Sequence, residues 1–159
     1  MRSTGLRVCA LLLLAACAHG AASQRTGRGP IDDALDDFHD AAARADEERY
    51  FAHFAPDGVF LGTDATERWN VAAFRAYAHP YFARGKAWSF RAVRRAVTLR
   101  GELAWFDEDL ETQNLGPARG SRVLSLRNGR WLVEQYVLSI TVPNDRFREV
   151  RDLLKQPPR

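Results

Sequence analysis

The feature that most restricts this chain is a change of hydrophobic period near residue 85. Before it, apolar residues recur every three or four positions, the spacing of a helix face. From Lys86 on they alternate, the spacing of a strand face. Each patterned face must be buried against another element. Helices followed by strands therefore read as α+β, with three N-terminal helices packed on one face of a curved, mainly antiparallel sheet. A sheet bent around helices leaves a cone with an apolar mouth. One domain is expected, since 159 residues lie within the roughly 100–200 typical of a single core.

Ile31, Leu35, Phe38 and Ala42 form the first helical stripe. Asp32, Asp33, Asp36 and Asp37 fill its early turns, where carboxylates complement the helix dipole. A short second helix is expected over residues 46–54, with Tyr50 and Phe54 on one face. Ala55-Pro56-Asp57-Gly58 reads as a turn and residues 59–61 as a short strand. Asn70 is placed as the N-cap of a third helix carrying Val71, Phe74, Tyr77 and Tyr81. Pro80 should end or kink that helix, with Gly85 closing the region.

In the second half, Trp88, Phe90 and Ala92 share one parity and Val97 and Leu99 the other, which predicts a bulge near Arg94-Arg95. Strands are expected over residues 103–115 and 121–127, and Asn128-Gly129 between alternating runs predicts a tight hairpin. The strand over residues 131–142 reads as apolar on both faces, Trp131, Val133 and Val137 opposing Leu132, Tyr136 and Leu138. Such a strand needs cover on both sides, by helices on one and by a second copy's sheet on the other. A closing helix is expected over residues 145–155, through Phe147, Val150 and Leu154.

Residues 1–16 read as an export signal, with Arg2 and Arg7 ahead of an apolar run over residues 8–16 that is too short to span a bilayer. Leu14-Ala15-Ala16-Cys17 has the form of a bacterial lipobox, so Cys17 is the expected lipidation site. Ordinary cleavage after Ala18 is the alternative. Ala18 rather than Asp after the cysteine favours the outer membrane where one exists, so the expected location is the periplasmic side of the cell envelope. Residues 17–30, rich in Gly, Ala, Ser and Arg, read as a flexible tether, residues 31–147 as the domain and 148–159 as a C-terminal helix and tail. Cys9 and Cys17 are the two cysteines, so the exported domain has no disulfide and depends on its core. Of 23 basic residues, Arg2 and Arg7 fall in the signal, leaving 21 against 20 acidic, a net charge of +1. That balance lacks the basic footprint of a nucleic-acid binder.

The runs "DDFHDAAARADEERYFAHFAPDGVFLGTDATERW", "FRAYAHPYFARGKAW", "AWFDEDLE", "GPARGS" and "NGRWLVEQYVLSITVPND", in that order over about residues 31–147, resemble the SnoaL-like, nuclear transport factor 2-like superfamily. The resemblance implies a cone-shaped α+β fold, a pocket at the wide end and commonly a homodimer across the open sheet face. The superfamily includes ketosteroid isomerases, polyketide cyclases and dehydratases. A general-base Asp with a Tyr–Asp oxyanion pair has no counterpart at matching positions here.

Glu108 shares parity with Ala104, Phe106 and Leu110, which aims it into the cone, where apolar surroundings should raise its pKa and suit it to proton transfer. The alternative is an ion pair with a pocket Arg. Asp64 and Glu67 have capping-box spacing, and Asp64 also stands as a possible partner at the pocket rim. His79, beside Pro80, is the histidine best placed for a cavity. His39, His53 and His79 have no paired ligand spacing, so no metal is expected, and no cofactor either. Tyr50, Phe54, Trp69, Tyr77, Trp88, Phe106 and Tyr136 are candidates for the pocket wall. Arg119, in the glycine-bounded run Gly116-Pro117-Ala118-Arg119-Gly120-Ser121, is a candidate anion contact. The leading expectation is a lipid-anchored module that binds a small, largely apolar ligand. The rivals are a cofactor-independent acid/base enzyme using Glu108 with Tyr50, Asp64 or His79, and a dimeric interaction module.

Overall fold

The computed structural model describes residues 28–156. The expected export signal, Cys17 and most of the expected tether lie outside the described residues, as do residues 157–159.

Helix α1 (Arg28–Ala43) starts two residues before the expected end of the tether, with Pro30 in its first turns, where a missing N–H costs little. Its stripe of Ile31, Leu35, Phe38 and Ala42 is fully buried. Asp46 caps α2 (Glu47–Phe51) by accepting the Arg49 N–H at 3.1 Å. Phe54 does not extend α2, as its spacing from Tyr50 suggested, but opens strand β1 (Phe54–Leu61). The expected turn survives inside that strand. Phe54 pairs with Val133 and Val59 with Gln135, so the residues between them loop out of the ladder and expose Pro56 and Asp57. A three-residue strand β2 (Arg68–Asn70), absent from the expectations, pairs antiparallel with β1.

Helix α3 (Val71–Ala83) is capped as expected, Asn70 Oδ1 accepting the Ala73 N–H at 2.8 Å. Pro80 lies within it rather than ending it, and Gly85, at φ +68°, stands just beyond the helix end. The buried stripe is Phe74, Ala78 and Phe82. Tyr77 and Tyr81, expected on the apolar stripe with Phe74, are partly exposed.

Strands β3 (Phe90–Arg100), β4 (Leu103–Thr112), β5 (Pro117–Arg127) and β6 (Arg130–Ile140) form a meander. They extend a six-stranded sheet of order β2-β1-β6-β5-β4-β3, antiparallel except where β1 runs beside β6. The β3 bulge falls at Val93, one residue before the expected pair. Asn128 and Gly129 join β5 to β6 with φ of 52° and 76°, the left-handed pair that a two-residue hairpin requires.

Two sequence readings change here. The run from Gly116 to Ser121 is not one turn, because β5 begins at Pro117 and carries Arg119 on its outer face. Nor is β6 apolar on both faces. Val123 pairs with Gln135 and Leu124 with Val133, so Glu134 is an extra residue that flips the parity. Trp131 and Val133 before it, and Tyr136 and Leu138 after it, all face the core. After a short 3-10 turn (Asn144–Arg146), α4 (Phe147–Leu154) ends the described chain with Phe147, Leu153 and Leu154 exposed. No helix among the described residues is long and apolar enough to cross a membrane.

Candidate functional site

Two features occupy the space between helices and sheet, an ion cluster and a cavity. The ion cluster centres on Glu108, which β4's alternation turns inward and which is 0% exposed. Its Oε1 lies 2.7 Å from His39 Nε2 of α1, and its Oε2 accepts the Arg95 Nε–H of β3 at 3.0 Å. Arg95 reaches on to Asp36 at 2.9 Å. Arg122, 2% exposed on β5, has Nη2 3.6 Å from Glu108 Oε1. Its guanidinium carbon lies 4.0 Å from the Phe38 ring centroid and 3.9 Å from that of Tyr136. None of its three nitrogens finds a hydrogen-bond acceptor among the described residues.

This arrangement reverses the expected electrostatics of Glu108. Burial pushes its carboxyl up, but the His39 hydrogen bond and the Arg122 and Arg95 charges outweigh burial and hold it at about 2. Burial likewise pushes His39 below its usual range, against the pull of Glu108. At neutral pH the carboxylate is charged and the imidazole neutral, so His39 donates from Nε2–H. An inward parity for Arg122 follows from counting back from the Asn128-Gly129 hairpin, a signal that sequence reasoning did not use.

The cavity, about 250 Å³, lies beside this cluster rather than over it. Helix α3 supplies Phe74, Tyr77 and Tyr81, one face at three- and four-residue steps, and α2 supplies Tyr50. The sheet supplies Phe60, Trp69, Phe90, Tyr136 and Leu138, and Trp88 comes from the segment before β3. Thr63, Glu67, Gln113 and Asn114 contribute polar groups from the β1–β2 and β4–β5 connections. Phe60 and Phe74 stack with centroids 3.9 Å apart and planes at 4°, and Trp69 stands 4.6 Å from Tyr77. The buried Tyr136 hydroxyl has no hydrogen-bond partner among the described residues. Burial raises the Tyr50 and Tyr136 phenols above their ordinary values, so both keep their protons at neutral pH.

Of the sequence-predicted wall, Tyr50, Trp69, Tyr77, Trp88 and Tyr136 line the cavity. Phe54 and Phe106 are buried in the core outside its lining. Arg119 is on the outer sheet face, 3.2 Å from Asp109. His79 sits on the exposed side of α3, its side chain 65% exposed and Nδ1 2.8 Å from Glu47. Asp64 accepts the Thr66 N–H at 2.8 Å, and Glu67 reaches back to the Asp64 N–H at 3.2 Å, a capping-box exchange in a turn that no helix follows. Glu67 thereby reaches the cavity wall, while Asp64 stays outside it. Neither Glu108, Asp64 nor His79 touches the cavity, so it gathers none of the three residues proposed for proton transfer.

Helices laid on a curved, open, mainly antiparallel sheet, with an aromatic-lined cavity between, define a nuclear transport factor 2-like domain. Residues 31–143 match the SnoaL-like domain model, and the chain belongs to that family. Solved structures share the fold at low identity. A nuclear transport factor 2-like protein of unknown function from Pseudomonas putida is 15% identical with a TM-score of 0.62, covering 72% of this chain and 87% of that one. One from Cytophaga hutchinsonii is 17% identical with a TM-score of 0.59, covering 70% and 95%. A protein named as a candidate dehydratase from the nuclear transport factor 2-like family, from Streptomyces avermitilis, is 12% identical with a TM-score of 0.61, covering 72% of this chain and 95% of that one. No curated protein matches the sequence.

Proposed function

We propose that this chain is an exported, lipid-anchored SnoaL-like domain that holds a small, largely apolar molecule in its aromatic cavity. The observation that carries the reading is the separation of parts. The cavity wall is aromatic, while the buried charges are spent on one another a layer away. A volume of about 250 Å³ suits a ligand near the small end of the range for such sites. The test is a thermal-shift screen of small aromatic and alicyclic compounds on the protein. A hit should raise the melting temperature, and Trp69→Ala should abolish that rise. A complete absence of hits removes the proposal. The lipid anchor is tested separately, by the mass of the mature N-terminus. Diacylated Cys17 is expected, and an unmodified His19 start ends that part.

The acid/base reading keeps one supporting observation, the neutral phenols of Tyr50 and Tyr136 at the cavity wall. It has lost Glu108 as proton carrier, since that carboxyl titrates at about 2 and is locked to His39 and Arg95. The proposed second copy would sit on the open sheet face, where Trp105 and Val123 are paired and exposed.

A further inference from the structure

The charge of the cavity wall narrows the ligand class. Among the described residues, nine of the 17 that line the cavity are aromatic, Glu67 is the only charged one, and no Lys, Arg, His or Asp contributes. Glu67 is half-buried, and among the described residues its carboxylate accepts one hydrogen bond, from the Asp64 N–H. Most of the protein's carboxylates are paired with Arg, as Glu47, Glu111 and Glu134 are, whereas Glu67 has no cationic partner among the described residues. Glu67 shares the cavity lining with Trp69 and Tyr77, whose ring centroids stand 4.6 Å apart.

Aromatic faces are negative at their centres, so rings gathered around a cavity attract an organic cation, most strongly when an unpaired carboxylate adds its field. Rings of this wall already receive cations from outside it. Arg84 stands 5.1 Å over Tyr81 and Arg122 stands 3.9 Å over Tyr136, and neither arginine lines the cavity. Their fields do not cancel that of Glu67. Arg84 is exposed and screened by solvent, and Glu108 faces Arg122 at 3.6 Å. An anionic ligand would find no cation in the wall and one carboxylate to repel it.

We propose that the ligand is a small organic cation, a quaternary or tertiary ammonium on an apolar body, with its charged head between Glu67 and the Trp69 and Tyr77 rings. The proposal rests on the ligand-binding reading above and specifies its chemistry.

The test is calorimetric titration of the full chain with three probes of one shape: choline, its neutral isostere 3,3-dimethylbutan-1-ol, and the anion 3,3-dimethylbutanoate. Choline should bind about tenfold tighter than the alcohol, and the acid most weakly. Glu67→Gln keeps the oxygen that accepts the Asp64 N–H and removes the charge. It should bring choline to within about twofold of the alcohol and leave the alcohol's affinity unchanged. Tyr77→Phe, which keeps the ring, should retain most of the preference for choline. Equal binding of choline and alcohol, or a preference that survives Glu67→Gln, overturns the cation proposal while the apolar-ligand reading stands. If no probe binds and the screen above also gives no hit, both fall together.

Discussion

The Arg122 guanidinium sits in the corner of two nearly perpendicular rings, Phe38 and Tyr136, with no hydrogen-bond acceptor among the described residues, so charge and ring contact hold it. Arg122 depends for charge balance on Glu108, 3.6 Å away and itself 0% exposed. Glu108→Gln therefore leaves a buried cation uncompensated and should destabilise the fold by about 3–5 kcal/mol in urea titrations. Replacing the carboxylate and this cation together, Glu108→Leu with Arg122→Met, should recover part of that loss, because the apolar pair carries no desolvation cost while His39 and Arg95 still lose their acceptor. The sign of the pH dependence follows. Glu108 titrates at about 2 in the folded chain, against roughly 4.3 unfolded, so its contribution is complete above about 4.5 and is lost as pH falls toward 2. His39, lowered chiefly by burial, acts in the same direction from about 6.5 downward, since the unfolded chain takes up a proton that the folded one resists. Urea midpoints at pH 7, 5 and 3 should fall steadily, and Glu108→Gln should flatten the step between 5 and 3 more than that between 7 and 5. The inward aim of Glu108 was legible from alternation along β4. An Arg partner was foreseen as the alternative reading, but which one was not, because the β3 bulge sets the register that puts Arg95 opposite Glu108; His39, 69 residues away, meets it only once α1 lies on the sheet.

At the scale of elements, the irregularities did most to separate structure from pattern. Alternation supplied β3 to β6, their hairpin and a bulge in β3. The parity flip at Glu134 made β6 look apolar on both faces, when a single inserted residue had turned one core face over. The α3 stripe was misphased as well. Tyr77, read both as part of the helical stripe and as pocket wall, lines the cavity together with Tyr81, while the packed stripe runs through Phe74, Ala78 and Phe82. Strand β1 holds the tightest irregularity. A Cβ added at Gly58 would meet Val133 O at 2.8 Å and Ala55 O at 3.0 Å, both backbone atoms that cannot swing aside. Gly58→Ala should cost about 1–3 kcal/mol by thermal unfolding and weaken cavity ligands as well, since β1 carries Phe60 into the wall. A Gly58→Ala protein of unchanged melting temperature would show that this bulge has slack the close approach does not suggest.

For the whole molecule, the helices cover one face of the sheet and leave the other to solvent. On that open face Trp105 is 45% exposed, directly opposite Val123 across the β4–β5 pair, with Leu103 52% exposed on the same strand. Charged pairs occupy the neighbouring part of the face, Arg94 and Arg119 both meeting Asp109, and they would rim an apolar centre around Trp105. A second copy laid on this face by a two-fold axis would bury both tryptophans at once, the isologous geometry by which a sheet face most simply covers itself. The sequence pointed to this face through the supposed two-sidedness of β6, which adds only half-buried Leu132 and Val137; the more exposed Leu103, Trp105 and Val123 lie on β4 and β5. Light scattering coupled to size exclusion should give twice the monomer mass at micromolar concentration. Trp105→Glu should shift the chain to a monomer without changing its melting response to cavity ligands, because Trp105 is not part of the cavity wall. A wild-type monomer at that concentration would leave the open face to solvent and make the cavity the property of a single chain.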